Sequence, residues 1–188
     1  MCVPHNLDVR GTLMAGLFGN ASSAPVKRRV FVSYHHGLDQ AYYDAFSRVF
    51  GNDLAVFSDR SLDRARDSDN PDYIMRYIRE NHLAGASTLI VLCGTQTPYR
   101  KFVDWEIRAG LAQQMALIGV KLPSVEVINN GCSKPARLQD NIDSGYAKWI
   151  WWQDLTSSVD NAKTAIDDAN HSRKNIIKND RQRRLRNG

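Results

Sequence analysis

Cysteine is scarce in this chain: Cys2, Cys93 and Cys132 are three in 188 residues, widely spaced and without a CxxC pair. Neither a disulfide framework nor a zinc knuckle is indicated, and a reducing cytoplasm fits best. With 12 glycines and 6 prolines the sequence is no fibrous or low-complexity chain. No apolar run approaches the roughly 20 residues that span a bilayer, so no membrane is expected as a partner. Phosphate-cradling motifs are missing too. There is no GxxxxGK[ST], and no GxGxxG follows the first predicted strand, which leaves nucleoside-triphosphate and classical dinucleotide cradles unsupported. The GxSxG elbow of an α/β hydrolase is likewise absent.

What is present, 43% hydrophobic and 24% charged residues, matches a single globular domain able to build its own core. The net charge of +5 is unevenly placed. From Ser172 to Gly188 there are seven basic residues (Arg173, Lys174, Lys178, Arg181, Arg183, Arg184, Arg186) against Asp180 alone. The other 171 residues carry 18 basic and 19 acidic side chains. The body is therefore electrically balanced, and nucleic acid is not expected as its partner. Such a tail suits RNA, an acidic partner or a membrane surface, but reads first as a solvated, poorly packed terminus. At the other end, Leu13 to Phe18 is mildly apolar and precedes Ala21-Ser22-Ser23-Ala24. Asp8 and the glycines at 11, 16 and 19 spoil a signal peptide, so a cytoplasmic protein is expected.

Residues 1–26 read as an irregular N-terminal extension, 27–171 as the domain and 172–188 as a basic C-terminal tail. Within the domain, short β-branched runs (Val30–Val32, Leu54–Phe57, Thr88–Leu92, Leu117–Val120) alternate with segments of helical length at 38–50, 71–84 and about 101–116. Continuous apolar runs of this size are strands covered on both faces, hence a parallel sheet. Asn70 before Pro71 is a helix-start signal. Val103, Ile107, Leu111 and Met115 form a four-residue stripe on the third helix. Residues 124–146 suggest loop with one short helix. Lys148 to Trp152 suggests a fifth strand, or a partly exposed wall of tryptophans, and a last helix runs from Thr156 or Ser157 to about Ala169. The expected fold is α/β: five parallel strands with helices on both faces, flavodoxin-like.

Ligands of such sheets bind beyond the carboxyl ends of the strands. The residues there are Ser33, Tyr34, His35 and His36, then Ser58 and Asp59, then Cys93, Gly94 and Thr95. A phosphoryl-accepting receiver would need acidic groups where Ser33-Tyr34-His35 and Cys93 stand. His35 and His36 lack a third and fourth ligand, so no metal is expected. Cys93 has no activating base nearby and reads as a small buried strand-end residue. Glu106 lies one turn beyond Phe102 and beside Trp105, at the border of the buried stripe. It is either a ligand-facing carboxylate, costly to bury without a partner, or a solvated helix residue pairing with Arg108 or Lys101. The stretch Arg60 to Asp69 is a lid over the site or a solvated connection. For Trp149, Trp151 and Trp152, core or subunit contact is favoured over base stacking.

The blocks KRRVFVSYHH, RSLDRARDSDNPDYIMRYIRENHLAGASTLIVLCG, TPYRKFVDWEIRAGL and GVKLP, in this order over residues 27–123, resemble the ThsB-like TIR sensors of bacterial Thoeris anti-phage defence. The resemblance implies a TIR fold and cleavage of the nicotinamide N-glycosidic bond of NAD+, with NAD+ as substrate and no resident cofactor. It further implies a cyclic ADP-ribose type product that activates a separate effector, and it admits a phage-derived trigger and a homo-oligomer. The family's catalytic carboxylate, four residues after an aromatic, corresponds to Glu106. Here Phe102 is the residue four places earlier and Trp105 is adjacent, so both are assigned to the ribose-facing wall. Ser33, Tyr34 and His35 would line the pocket after the first strand, and Phe57, Ser58 and Asp59 would meet the nucleotide after the second. The rival readings are a non-catalytic TIR-like module acting by assembly or by recognising a phage component, and a glycosyltransferase forming a covalent glycosyl-Glu intermediate.

Overall fold

The computed structural model describes residues 27–58, 70–125 and 132–188. The expected extension at 1–26, Asp59 and the loop Arg60 to Asp69 lie outside the described residues. Strands β1 (Arg28–Ser33), β2 (Leu54–Phe57), β3 (Thr88–Cys93), β4 (Ala116–Lys121) and β5 (Lys148–Trp151) form one sheet of order β2-β1-β3-β4-β5. Every neighbouring pair is parallel. The central strands β3 and β4 are buried at each residue, which is why Leu89–Cys93 and Ala116–Val120 are unbroken apolar runs and not alternating ones. The chain winds from β1 to β2 on one side and crosses to β3 on the other. The carboxyl ends of β1 and β3 thus flank the switch point where such sheets take ligands.

Helices cover both faces, as expected. They are α1 (Gln40–Phe50), α2 (Pro71–Tyr77), α3 (Lys101–Ala112), α4 (Ala136–Asp143), α5 (Trp152–Thr156) and α6 (Val159–Asn170). On one face Phe31, Leu89, Val91 and Leu117 pack with Ile74 of α2, Ile107 of α3 and Leu138 of α4. On the other, Val30, Val32, Ile90 and Ile118 pack with Phe46 and Phe50 of α1 and Ile166 of α6. Each such side chain, fully buried, contributes about 1.5–3 kcal/mol. Trp149 crosses β4 over Gly119, where a Cβ would lie 2.7 Å from the indole; no larger residue fits under that ring. Among the described residues no helix is long and apolar enough to cross a membrane.

Several boundaries differ from the expectation. The second helix begins as foreseen, with the Asn70 side chain accepting from the Asp72 and Tyr73 amides, but after Tyr77 it widens into a π turn, Ile78–His82. That wide turn brings Ile78, His82 and Leu83 inward together. Helix α3 stops at Ala112, short of Met115. The Met115 amide closes on Gly110 O and the Gln114 amide on Leu111 O, the two bonds of a Schellman cap, so Met115 is buried from the loop and not from the helix. Gln114 adopts the left-handed conformation this cap demands, with φ 56°. A side chain there costs roughly 1–2 kcal/mol, against about 0.5–1 kcal/mol for the extra freedom of glycine in the unfolded chain. Gln114→Gly is therefore expected to stabilise the domain by about 0.5 kcal/mol in urea titrations. Trp152 leaves the fifth strand and opens α5, edge-on to Tyr42 of α1, and α6 starts at Val159 behind a Ser158 cap.

The largest difference is the C-terminal tail, expected to be solvated and poorly packed. It is instead a strap laid along α4 and α3. Ile176 and Ile177 pack onto the core, and the Asn141 side chain pairs with both the N–H and the C=O of Lys178. Farther on, the Arg184 amide donates to Asp104 at 2.8 Å and the Trp105 indole N–H donates to Arg184 O at 2.7 Å. The Gly188 amide reaches Tyr99 O at 3.1 Å. Backbone carbonyls and asparagine amides do most of this fastening, which is why counting basic residues pointed the wrong way.

Candidate functional site

Strand alternation puts Ser33, the last residue of β1, on the same sheet face as Phe31, under α3. Glu106 comes down from α3 to meet it. Its side chain is buried, 4% exposed, and the Ser33 hydroxyl donates to Glu106 Oε2. The alternative of a solvated helix glutamate paired with Arg108 or Lys101 does not hold, because the carboxyl faces the sheet. The Lys101 ammonium lies over the Phe102 and Trp105 rings, 4.9 and 5.7 Å from their centroids. A buried carboxylate at the rim of the switch point is the main chemical feature of this edge.

A second buried carboxylate ties the two rim loops together. Asp39, just before α1, accepts from the Thr97 hydroxyl at 3.0 Å, and Thr97 Oγ1 in turn accepts from the Gly94 amide at 2.9 Å. Any Cβ at position 94 would collide with the Asp39 carboxyl, so glycine is required after β3. Burial raises the Asp39 pKa above the ordinary aspartate value, against the lowering effect of Thr97 and of a backbone hydrogen bond from His35. Below the ordinary value the group is neutral in both folded and unfolded chains. As pH rises through the raised native value, the folded state must ionise a buried group, and stability falls. Asp39→Asn removes that dependence while keeping an acceptor for Thr97. The variant is expected to gain stability relative to wild type from about pH 4 upward, measured by urea midpoints across a pH series.

The other expected site residues separate into two groups. Tyr34 projects to the opposite face, buried, its hydroxyl donating to Gln40 at 2.9 Å and its ring stacked on His36 and Tyr43 at 4.4 and 4.8 Å. His35 is half-buried in the turn, with Nδ1 accepting from the Leu38 amide. Phe57 ends β2, its backbone paired with Phe31, and Ser58 follows, half-buried. Phe102 is half-buried and edge-on to Trp105, at 5.7 Å and 76°. Trp105 is itself 3% exposed and lies beneath the strap, with the Arg183 guanidinium 5.5 Å from its ring centroid. About 100° separates adjacent helix positions, so its indole faces away from the Ser33–Glu106 contact. The Cys93 thiol, buried and bonded to Val91 O, is pushed far above the usual thiol range, chiefly by burial with Cys132 adding to it. It is not an activated nucleophile.

Arg137 is the residue the sequence did not announce. Its guanidinium is fully buried and makes five hydrogen bonds: Nε to Asp104, Nη1 to the carbonyl and side-chain oxygens of Asn179, and Nη2 to the carbonyls of Arg181 and Gln182. The one sequence signal was the four-residue spacing of Arg137 and Asn141, which share a helix face. Nothing in that spacing points to acceptors some forty residues later.

The family model described as Thoeris protein ThsB, TIR-like domain, matches residues 31–127, just over half of the chain. The matched span runs from β1 past β4 and contains both Ser33 and Glu106. No curated protein matches the chain.

Proposed function

The chain belongs to the TIR-like domain family of the Thoeris defence protein ThsB, and from that premise we propose that it cleaves NAD+ at the nicotinamide N-glycosidic bond and turns the ADP-ribose part into a cyclic signal for a separate effector. The observation that carries this reading is the buried Glu106 carboxylate, held by the Ser33 hydroxyl at the carboxyl edge of the sheet. When the glycosidic bond breaks, nicotinamide leaves as a neutral molecule with the bonding electron pair, and positive charge develops at the ribose C1′. A carboxylate placed there stabilises that charge, or holds the ribose hydroxyls, and no metal is needed for the leaving group. Ser33 fixes the direction of the carboxylate. His35 and Ser58 line the nucleotide side of the rim in this reading, with Phe57 beside them at the end of β2, and Phe102, on the same α3 face as Glu106, backs the ribose. Tyr34 supports the turn from the opposite face, and Trp105 supports α3 from beneath the strap.

Formation of a cyclic product requires a nucleophilic atom of the same nucleotide to take the C1′ position while water is kept out. Purified protein, with and without lysate from phage-exposed cells, is to be incubated with NAD+ and followed for nicotinamide release, with the nucleotide product identified by mass spectrometry. Nicotinamide appearing together with a product lacking the mass of water, relative to ADP-ribose, is the expected result. Linear ADP-ribose alone removes the cyclisation step. No nicotinamide under either condition leaves the non-catalytic module as the better reading.

A further inference from the structure

The strap crosses α3 on the side away from the sheet, and its attachments bracket Glu106. Asn187 Oδ1 accepts from the Lys101 amide at 2.9 Å, supplying the cap that the first turn of α3 otherwise lacks. Asp104 and Trp105 each bond the backbone of Arg184, one turn farther along. Asn179 Nδ2 donates to Arg108 O at 3.0 Å, just past the glutamate. From below, the buried Arg137 holds both the strap carbonyls and Asp104, so strap and helix share one guanidinium.

We propose that the C-terminal strap is a positioning element for the Glu106 helix, with Asn179 and Asn187 as positioning residues that clamp α3 against the sheet and fix the carboxylate opposite Ser33. This rests on the NAD+-cleavage reading for its catalytic consequence, although the clamp itself does not. The strap's hydrogen bonds to α3 run to Lys101, Asp104, Trp105 and Arg108, so it acts on where the carboxylate stands and not on how the nucleotide is held. Loosening it moves the helix by a fraction of an ångström to an ångström, and displacements of that size slow an enzymatic step by one to two orders of magnitude.

The test uses the full chain carrying Asn179→Ala and Asn187→Ala together, which removes the two tail side chains hydrogen-bonded to α3, and with Asn179 one acceptor of Arg137, and leaves the α3, α4 and core sequences intact. Two readouts are taken: backbone hydrogen exchange over residues 101–108, and the steady-state constants for nicotinamide release from NAD+. Exchange about 10-fold faster in that segment, with kcat down about 10-fold and KM within about twofold, is the expected result. Asn187→Asp, which keeps an acceptor at the helix start, should match wild type in both. Unchanged exchange overturns the clamp. Faster exchange with unchanged kcat, or a change in KM alone, overturns the positioning role. A wild-type protein that releases no nicotinamide removes the cleavage reading and the catalytic role of the strap with it, and that outcome is distinguishable because the exchange difference records the clamp by itself.

Discussion

Glu106→Gln is expected to fold as well as wild type and to lose about 10²- to 10³-fold of its rate of nicotinamide release. The side chain keeps its length and an oxygen that can accept from Ser33, so that hydrogen bond survives. Its charge does not survive. A preorganised group facing developing charge in a dry site is worth about 3–4 kcal/mol to the transition state. Removing a buried negative charge costs the fold nothing that a well-packed amide does not replace, and unfolding midpoints should therefore stay level or rise. A variant that is equally stable and equally active would show that the carboxylate at 106 is a packing feature.

The second large effect concerns stability. Arg137→Met is expected to lower the unfolding free energy by about 3–5 kcal/mol, the range for breaking a buried ion pair from one side. The guanidinium is fully buried and its five donors meet Asp104, Asn179, Arg181 and Gln182. Methionine fills the space and satisfies none of them. Asp104, 7% exposed, would keep its Arg184 amide bond and lose its countercharge. Against a typical domain stability of about 5–15 kcal/mol the loss is severe. Adding Asp104→Asn should recover part of it, since the orphaned charge is then gone; the double-mutant cycle in urea should give a coupling above about 1 kcal/mol. Strict additivity would mean that Arg137 acts on the strap alone. By contrast, the solvent-accessible pairs Arg28–Asp167 and Lys163–Asp53 are of the surface kind, worth about 0–1 kcal/mol each.

How much of this was legible in the sequence depends on how local its cause is. β3 and β4 declared themselves because strands buried on both faces are apolar over most of their length, and Asn70-Pro71 declared a helix start because the orphan amides of a first turn need that chemistry. The end of α3 did not, since Met115 continues the apolar stripe perfectly well and only the Gln114 cap diverts the chain. The side of the helix that Glu106 serves was undecidable from spacing, because its partner Ser33 lies 73 residues away. The strap was misread for a related reason. Its seven basic residues dominate any charge count, while most of its attachment runs through backbone groups and the amides of Asn141, Asn179 and Asn187, with Arg181 on Asp140 as the main ion pair. Composition gives those groups no weight.

A crystal structure of Glu106→Gln with NAD+ bound is the most direct test of where the chemistry takes place, because the slowed variant holds the intact dinucleotide. The nicotinamide ribose should lie within hydrogen-bonding reach of the side chain at position 106, beside the Ser33 hydroxyl at the carboxyl end of β1. A dinucleotide bound with its nicotinamide ribose elsewhere on the domain, and the Ser33 contact to position 106 undisturbed, would contradict the assignment of this carboxylate to NAD+ cleavage.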